Sequence, residues 1–185
     1  MTTYVILIRG INVGGKNKVG MADLRRCLEG LGYAKVTTYI ASGNVIVESA
    51  KSARQVQAQI ERALPTNFKL DSELLKVLVL TRPQLQAIVN DKPKGFGEQP
   101  SKYHSDVIFL IAIDSAQAMQ VFAPRAGVDR VWPGTGVIYS QRLSAERTKS
   151  RLSKIMGTAA YRSMTIRTWN TTTKLLELLG SKAAE

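Results

Sequence analysis

Apolar positions along the chain alternate between two periods, and the changes of period divide it into short elements. Thr3–Arg9 is almost wholly apolar and β-branched, which predicts a strand. Met21, Leu24, Leu28 and Leu31 then recur at three- and four-residue spacing, the stripe of an amphipathic helix, and Gly32 follows as its terminator. Lys35–Ile40 and Asn44–Glu48 read as strands joined by Ala-Ser-Gly, a link too short for a parallel crossover, so they form an antiparallel hairpin. A helix over Ala53–Leu64, closed by Pro65, and a strand over Leu74–Leu80 complete the order βαββαβ.

The same order then recurs. Pro83–Asn90 predicts a connecting helix, and DKPKGFGEQPSK a polar linker. His104–Ile113 is a predicted strand and Ser115–Phe122 a helix. Val128–Trp132 and Gly136–Gln141 form a hairpin around Pro-Gly-Thr-Gly. Ala145–Met156 follows as a helix with Leu152, Ile155 and Met156 as its core stripe, then a strand over Met164–Trp169 and a helix over Thr171–Leu179. The pattern predicts an α+β fold of two consecutive ferredoxin-like (βαββαβ) plaits with antiparallel sheets and an extra C-terminal helix. The domains are 1–81, a connecting helix and loop over 82–103, and 104–185. The first strand and Val107–Ile113 are apolar on both faces. Both faces of each sheet should therefore be covered, by helices on one side and by the other domain or a second chain on the other.

Composition adds exclusions. With 44% hydrophobic and 22% charged residues, the 185-residue chain has the balance of an ordinary globular protein. No apolar run approaches the roughly 20 residues that span a bilayer, so no membrane partner is expected. The opening MTTYVILIRG lacks a basic region and a small-residue cleavage site, so a cytoplasmic location is the default. The single cysteine, Cys27, excludes an internal disulfide and a multi-cysteine metal site, and its setting in LRRCLEGL predicts a buried, inert thiol. No metal spacing stands out, the sequence leaves any cofactor unknown, and a homo-oligomer is possible but not indicated.

Charge changes the picture more. The net charge is +12, and Arg142–Lys174 holds eight basic residues against one acidic. Such clustering points to an anionic partner, either a phosphate-bearing small molecule or nucleic acid, or else to a solvated basic face.

The stretch RGINVGGKNKVG is the first candidate for such a site. Gly10 to Lys16 fits the phosphate-loop spacing, but Asn17 stands where a magnesium-binding hydroxyl belongs. The helix begins only at Met21, and the antiparallel hairpin that follows contradicts a nucleotide-hydrolase sheet. Asp114, at the end of VIFLIAID, is then a decoy for an acidic metal partner. What survives is a donor-rich loop with Arg9, Asn12, Lys16 and Lys18 as candidate anion ligands. A second candidate is IRTWNTTTKLLELL, which places Asn170 or Thr171 at a helix N-cap with Lys174 one turn in. Trp169 beside it reads as core.

The alternative, a sequence-nonspecific nucleic-acid-binding module, would use Arg147, Arg151 and Lys154 on one face of the 145–156 helix, with Arg167. Aromatics of the RNA-recognition kind are missing, since NVIVES has none and YVILIRG has only Tyr4. An enzyme of unidentified reaction is the third reading. His104 and Asp106 share a strand face, so the carboxylate can orient the imidazole, but no nucleophile accompanies them.

RGINVGGKNKV, MADLR, TYIASGNVIVES, SRLSK and TIRTWNTTTKLLEL together resemble the bacterial family called domain of unknown function 1697. The likeness covers nearly the whole chain in order. Gly20 stands where members often have proline, and Thr168 where many have asparagine. The resemblance implies paired ferredoxin-like units and supplies no activity.

Overall fold

The structure, a computed structural model, describes residues 1–181. It divides into two compact units, Met1–Leu85 with the stretch from Leu175 onward, and Gln86–Lys174.

The first unit contains β1 (Thr2–Arg9), α1 (Met21–Gly30), β2 (Ala34–Tyr39), β3 (Asn44–Ser49), α2 (Ala53–Phe68) and β4 (Lys76–Thr81). Its sheet is antiparallel in the order β2-β3-β1-β4, with Ile6 opposite Val45 on one side and Val79 on the other. That register puts Tyr4, Ile6, Ile8, Val45, Val47, Val77 and Val79 on one face. Leu24 and Leu28 of α1 and Val56, Ile60 and Leu64 of α2 pack against it. Val5, Leu7, Ile46 and Leu80, which point the other way, are buried too, so both faces of the central strand are covered.

Helix α2 starts on a reciprocal cap. Ser52 accepts from the Gln55 N–H, and the Gln55 side chain accepts from the Ser52 N–H. Pro65 does not close it. The helix runs on to Phe68 and ends at Lys69 in the left-handed conformation, whose cap hydrogen bond comes back to the Pro65 carbonyl. Proline removes one hydrogen bond there, and the packing of Phe68 and Leu70 on the core holds the final turn in place.

The second unit repeats the topology. A helix, α3 (Arg82–Asn90), leads to β5 (Tyr103–Leu110), α4 (Ser115–Met119), β6 (Asp129–Gly134), β7 (Val137–Leu143) and β8 (Met164–Thr168). The sheet order is β6-β7-β5-β8, again antiparallel. Pro133 is tolerated because β6 is an edge strand. Helix α5 (Trp169–Ser181) follows β8 directly.

Three sequence expectations fail here. Strand β5 ends at Leu110 instead of Ile113, and Ala112 takes a positive φ of 60°. Helix α4 stops at Met119, not Phe122. The helix expected over Ala145–Met156 is instead a series of 3-10 turns, Ser144–Lys149, Leu152–Gly157 and Ala159–Ser163. Asp129 is the cause. Its carboxylate accepts from the Ser150 hydroxyl at 2.6 Å and the Arg151 N–H at 2.9 Å, so that N–H is lost to the i−4 carbonyl an α-helix would use. Leu152 and Ile155 are still buried, but Met156 is 58% exposed and leaves the core stripe.

The segment read as a polar linker is anchored. Phe96 is fully buried, edge-on to Tyr139 at 5.2 Å, Trp169 at 5.3 Å and Trp132 at 6.1 Å. Gly97 lets it enter, because a Cβ there would lie 2.3 Å from the Trp169 Nε1. The Tyr139 hydroxyl donates to the Ile88 carbonyl at 2.6 Å, tying the aromatic cluster to α3.

Glycines in the first unit make a stability contrast. Gly43 has φ +77° and an added Cβ would stand 2.5 Å from the Ile8 carbonyl oxygen, whereas Gly14 at φ +58° faces open space. Urea denaturation should find Gly14→Ala costing about 1 kcal/mol, from backbone conformation alone. Gly43→Ala should cost at least about 3 kcal/mol, because overpacking adds to that term.

Candidate functional site

The glycine loop after β1 is a small hairpin closed on itself. Val13 and Lys16 bridge, the Lys16 N–H donates to the Val13 carbonyl at 3.0 Å, and Gly14 and Gly15 both take positive φ, as a two-residue type I′ turn requires. Asn12 spends its side chain on backbone, donating to the Val19 and Ala41 carbonyls at 2.9 Å and accepting from the Val19 N–H at 2.8 Å. Asn17 donates to the Gly10 carbonyl at 2.8 Å and accepts from the Asp71 N–H at 3.0 Å. Arg9 donates to the Leu74 carbonyl at 2.8 Å. Of the four residues expected to meet an anion, Asn12 is a brace and Arg9 is partly engaged. Lys16 and Lys18 are exposed. Asn12 also joins this loop to the Ala41 turn, a meeting the sequence did not disclose.

The start of α5 is different. The helix begins at Trp169, and Thr168 is its cap, its hydroxyl accepting from the Thr171 N–H at 3.2 Å. Neither Asn170 nor Thr171 is the N-cap residue. Both lie in the first turn, Thr171 buried and Asn170 exposed, with Lys174 exposed one turn on. Thr168, Trp169 and Asn170 line a cleft of about 160 Å³ with Gly97, Pro100, Tyr103, His104 and Ser105. The register that sets Asp106 opposite Thr168 brings the start of β5 level with the start of α5.

His104 supplies the cleft's titratable group. Its Nε2 lies 3.1 Å from Asp106 Oδ1, and Nδ1 makes no hydrogen bond among the described residues. Burial pushes the Asp106 carboxyl up from its ordinary value, against the opposing pull of His104 and then Arg142. Arg142 lies 4.0 Å from Asp106 Oδ2, and its buried Nε has no hydrogen-bond partner among the described residues. The Ser105 hydroxyl accepts from Gln141 at 3.0 Å and is not bonded to His104, so the pair lacks a nucleophile of the triad kind. Lys102 and Arg130 stand 5.2 and 5.9 Å from the Tyr103 ring.

The nucleic-acid candidates separate. Arg147 and Lys154 are exposed on successive 3-10 turns and Arg151 on the link between them, not on one α-helical face. Arg167 is only 6% exposed and donates to the Thr165 hydroxyl and the Ile166 carbonyl, and burial pulls its guanidinium down to about 10. It is not placed to meet a phosphate backbone. Asp114 caps α4 through the Gln117 N–H, and Cys27 is half-buried with its thiol pushed up by burial. No cluster of potential metal ligands occurs among the described residues, and no helix there is long and apolar enough to cross a membrane.

Sequence reasoning found His104, Asp106 and Asn170 but missed Gly97, Pro100, Tyr103 and Thr168. The signal for that wall was Phe96, an aromatic between two glycines in an otherwise polar stretch.

The two sheets, each with a doubly paired first strand between its third and fourth, define a protein of two ferredoxin-like units. Residues 1–139 match the family described as Protein of unknown function (DUF1697), and the chain belongs to that family. The conserved bacterial protein SP0830 from Streptococcus pneumoniae is similar in structure, with a TM-score of 0.80 and 27% identity over 96% of this chain and 98% of that one. No curated protein matches.

Asp129 offers a pH test of the second unit. Burial works to raise its carboxyl, but the Arg151 N–H, the Ser150 hydroxyl and the Arg125 N–H outweigh that and, with Arg142 nearby, hold it below the ordinary 3.8. A lowered folded-state value contributes stability that is present above the unfolded value and lost as pH falls through the folded one. Asp129→Asn should cost about 2 kcal/mol at pH 7 by urea denaturation. Its deficit against wild type should shrink below about pH 4.

Proposed function

We propose that the protein binds a phosphate-bearing small molecule in the cleft at the start of α5. The observation that carries this reading is the pairing, in one concavity, of a helix start with polar groups that have no hydrogen-bond partner among the described residues. Those groups are His104 Nδ1 and the Asn170 side-chain amide. Helix N-termini favour anions through their free N–H groups and dipole, and α5 is 13 residues long. Lys174 one turn in, and Lys102 and Arg130 around Tyr103, add positive charge to the surroundings. The Arg9–Lys18 loop ranks second as a ligand site, because much of its donor capacity is returned to backbone. His104, oriented by Asp106, is the group an enzymatic reading would employ for proton transfer, and no reaction is assigned to it.

Asn170→Asp is the discriminating variant. A carboxylate in the first turn favours the helix, so thermal stability should hold or rise, while the added charge repels an anion. Isothermal titration with inorganic phosphate, a nucleoside monophosphate and a phosphosugar should show saturable binding of at least one probe. The affinity should fall at least about tenfold in the variant. Absence of binding by all three in the wild type, or equal affinity in the variant, would overturn the proposal.

A second reading has its own support. Arg147, Arg151 and Lys154 are exposed and form no ion pair among the described residues. Were they a nucleic-acid surface, affinity for oligonucleotides would fall steeply with salt, and the log–log slope would drop by about 0.9 for each cation removed on duplex DNA. Lack of any binding at low salt would eliminate it.

A further inference from the structure

We propose that the tip of the first unit, formed by Val13 and Ile40 with Lys16 and Lys18, docks an acidic segment of a partner protein that carries an apolar side chain. Val13 is 64% and Ile40 52% exposed, two of the four large hydrophobic side chains exposed among the described residues. They stand on neighbouring loops, since Asn12, which precedes Val13, donates to the carbonyl of Ala41, which follows Ile40.

Ile40 is disfavoured twice over. It is apolar and exposed, and it sits at φ 48°, where a β-branched residue is a steric outlier and asparagine or glycine would be at ease. Solubility and turn geometry both argue for replacing it, and a contact it makes elsewhere accounts for its presence. Val13 flanks a turn whose Gly14 and Gly15 face open space, so the tip projects. The Asn12 and Asn17 hydrogen bonds brace it, which lowers the ordering cost of docking.

Charge selects the occupant. Lys16, which bridges Val13, and Lys18 are exposed on the same loop as Val13, and residues 1–22 contain no acidic residue. A second copy of this +12 chain would meet that surface with net repulsion. Single-stranded nucleic acid stacks on aromatic faces, and residues 10–20 and 40–43 contain no aromatic. The same lack of aromatics makes a lipid surface a poor fit. An acidic protein segment with an apolar anchor satisfies both the lysines and the aliphatic pair.

Selection of a random displayed-peptide library on the intact protein tests this, followed by anisotropy measurements with the selected peptide. The expected consensus places Asp or Glu around one large apolar residue. Ile40→Asn should weaken the peptide at least about tenfold while raising the urea midpoint, because asparagine relieves the turn. Val13→Ser and Lys16→Glu/Lys18→Glu should weaken it without that gain. A consensus lacking acidic residues, or affinity unchanged by Ile40→Asn and Val13→Ser, overturns the proposal. So does failure to select any peptide, with or without binding to phosphatidylcholine vesicles containing phosphatidylglycerol.

Discussion

The first strand of each unit is hydrogen-bonded along both edges, and this double pairing dictates how the rest of the chain is spent. β1 lies between β3 and β4, and β5 between β7 and β8. A chain leaving such a strand has no ladder left to join, yet its backbone N–H and C=O groups still need partners. The first unit meets the demand with an 11-residue connection that makes its own hairpin and uses asparagine side chains as substitute backbone. The second unit takes a shorter route from Leu110 to the Asp114 cap of α4. One topology thus carries two different surfaces at corresponding ends.

The order of elements was legible because it follows from hydrophobic period, and period is local. Strand and helix identities over 1–81 survive with shifts of a few residues at their ends. Three of the failures are of one kind: a distant partner overrides a local preference. Asp129 claims the Ser150 hydroxyl and the Arg151 N–H and turns a predicted helix into 3-10 turns. The half-buried Phe68, packed on the core, keeps helical a turn that Pro65 should have ended. Phe96 converts a polar linker into the wall of a cleft. Likewise the glycine loop showed its need for positive φ in sequence, but not that Asn12 would reach the Ala41 carbonyl. Long-range hydrogen bonds leave no periodic trace.

The two units also differ along the strand they share in topology. β1 is buried continuously from Tyr4 to Ile8, whereas β5 begins with four half-buried residues, Tyr103, His104, Ser105 and Asp106, before its apolar half starts at Val107. Apolar burial in the first case leaves a frame; the polar half of the second opens beside α5. Hydrogen-bond accounting then distinguishes the two ends better than composition does. Glycines and lysines made the Arg9–Gly20 loop look like the place for a ligand, but its asparagines are satisfied by backbone. At the β5–α5 cleft, His104 Nδ1 and the Asn170 amide have no hydrogen-bond partner among the described residues, and the neighbouring Arg142 Nε is buried without one there. The buried Arg142 Nε costs stability while it is unpaired, whereas His104 Nδ1 and the exposed Asn170 amide are turned to solvent and open to a ligand. That asymmetry is the reason for proposing a ligand at the second unit and a protein partner at the first unit's tip, whose asparagine hydrogen bonds are closed and whose Val13 and Ile40 side chains are exposed.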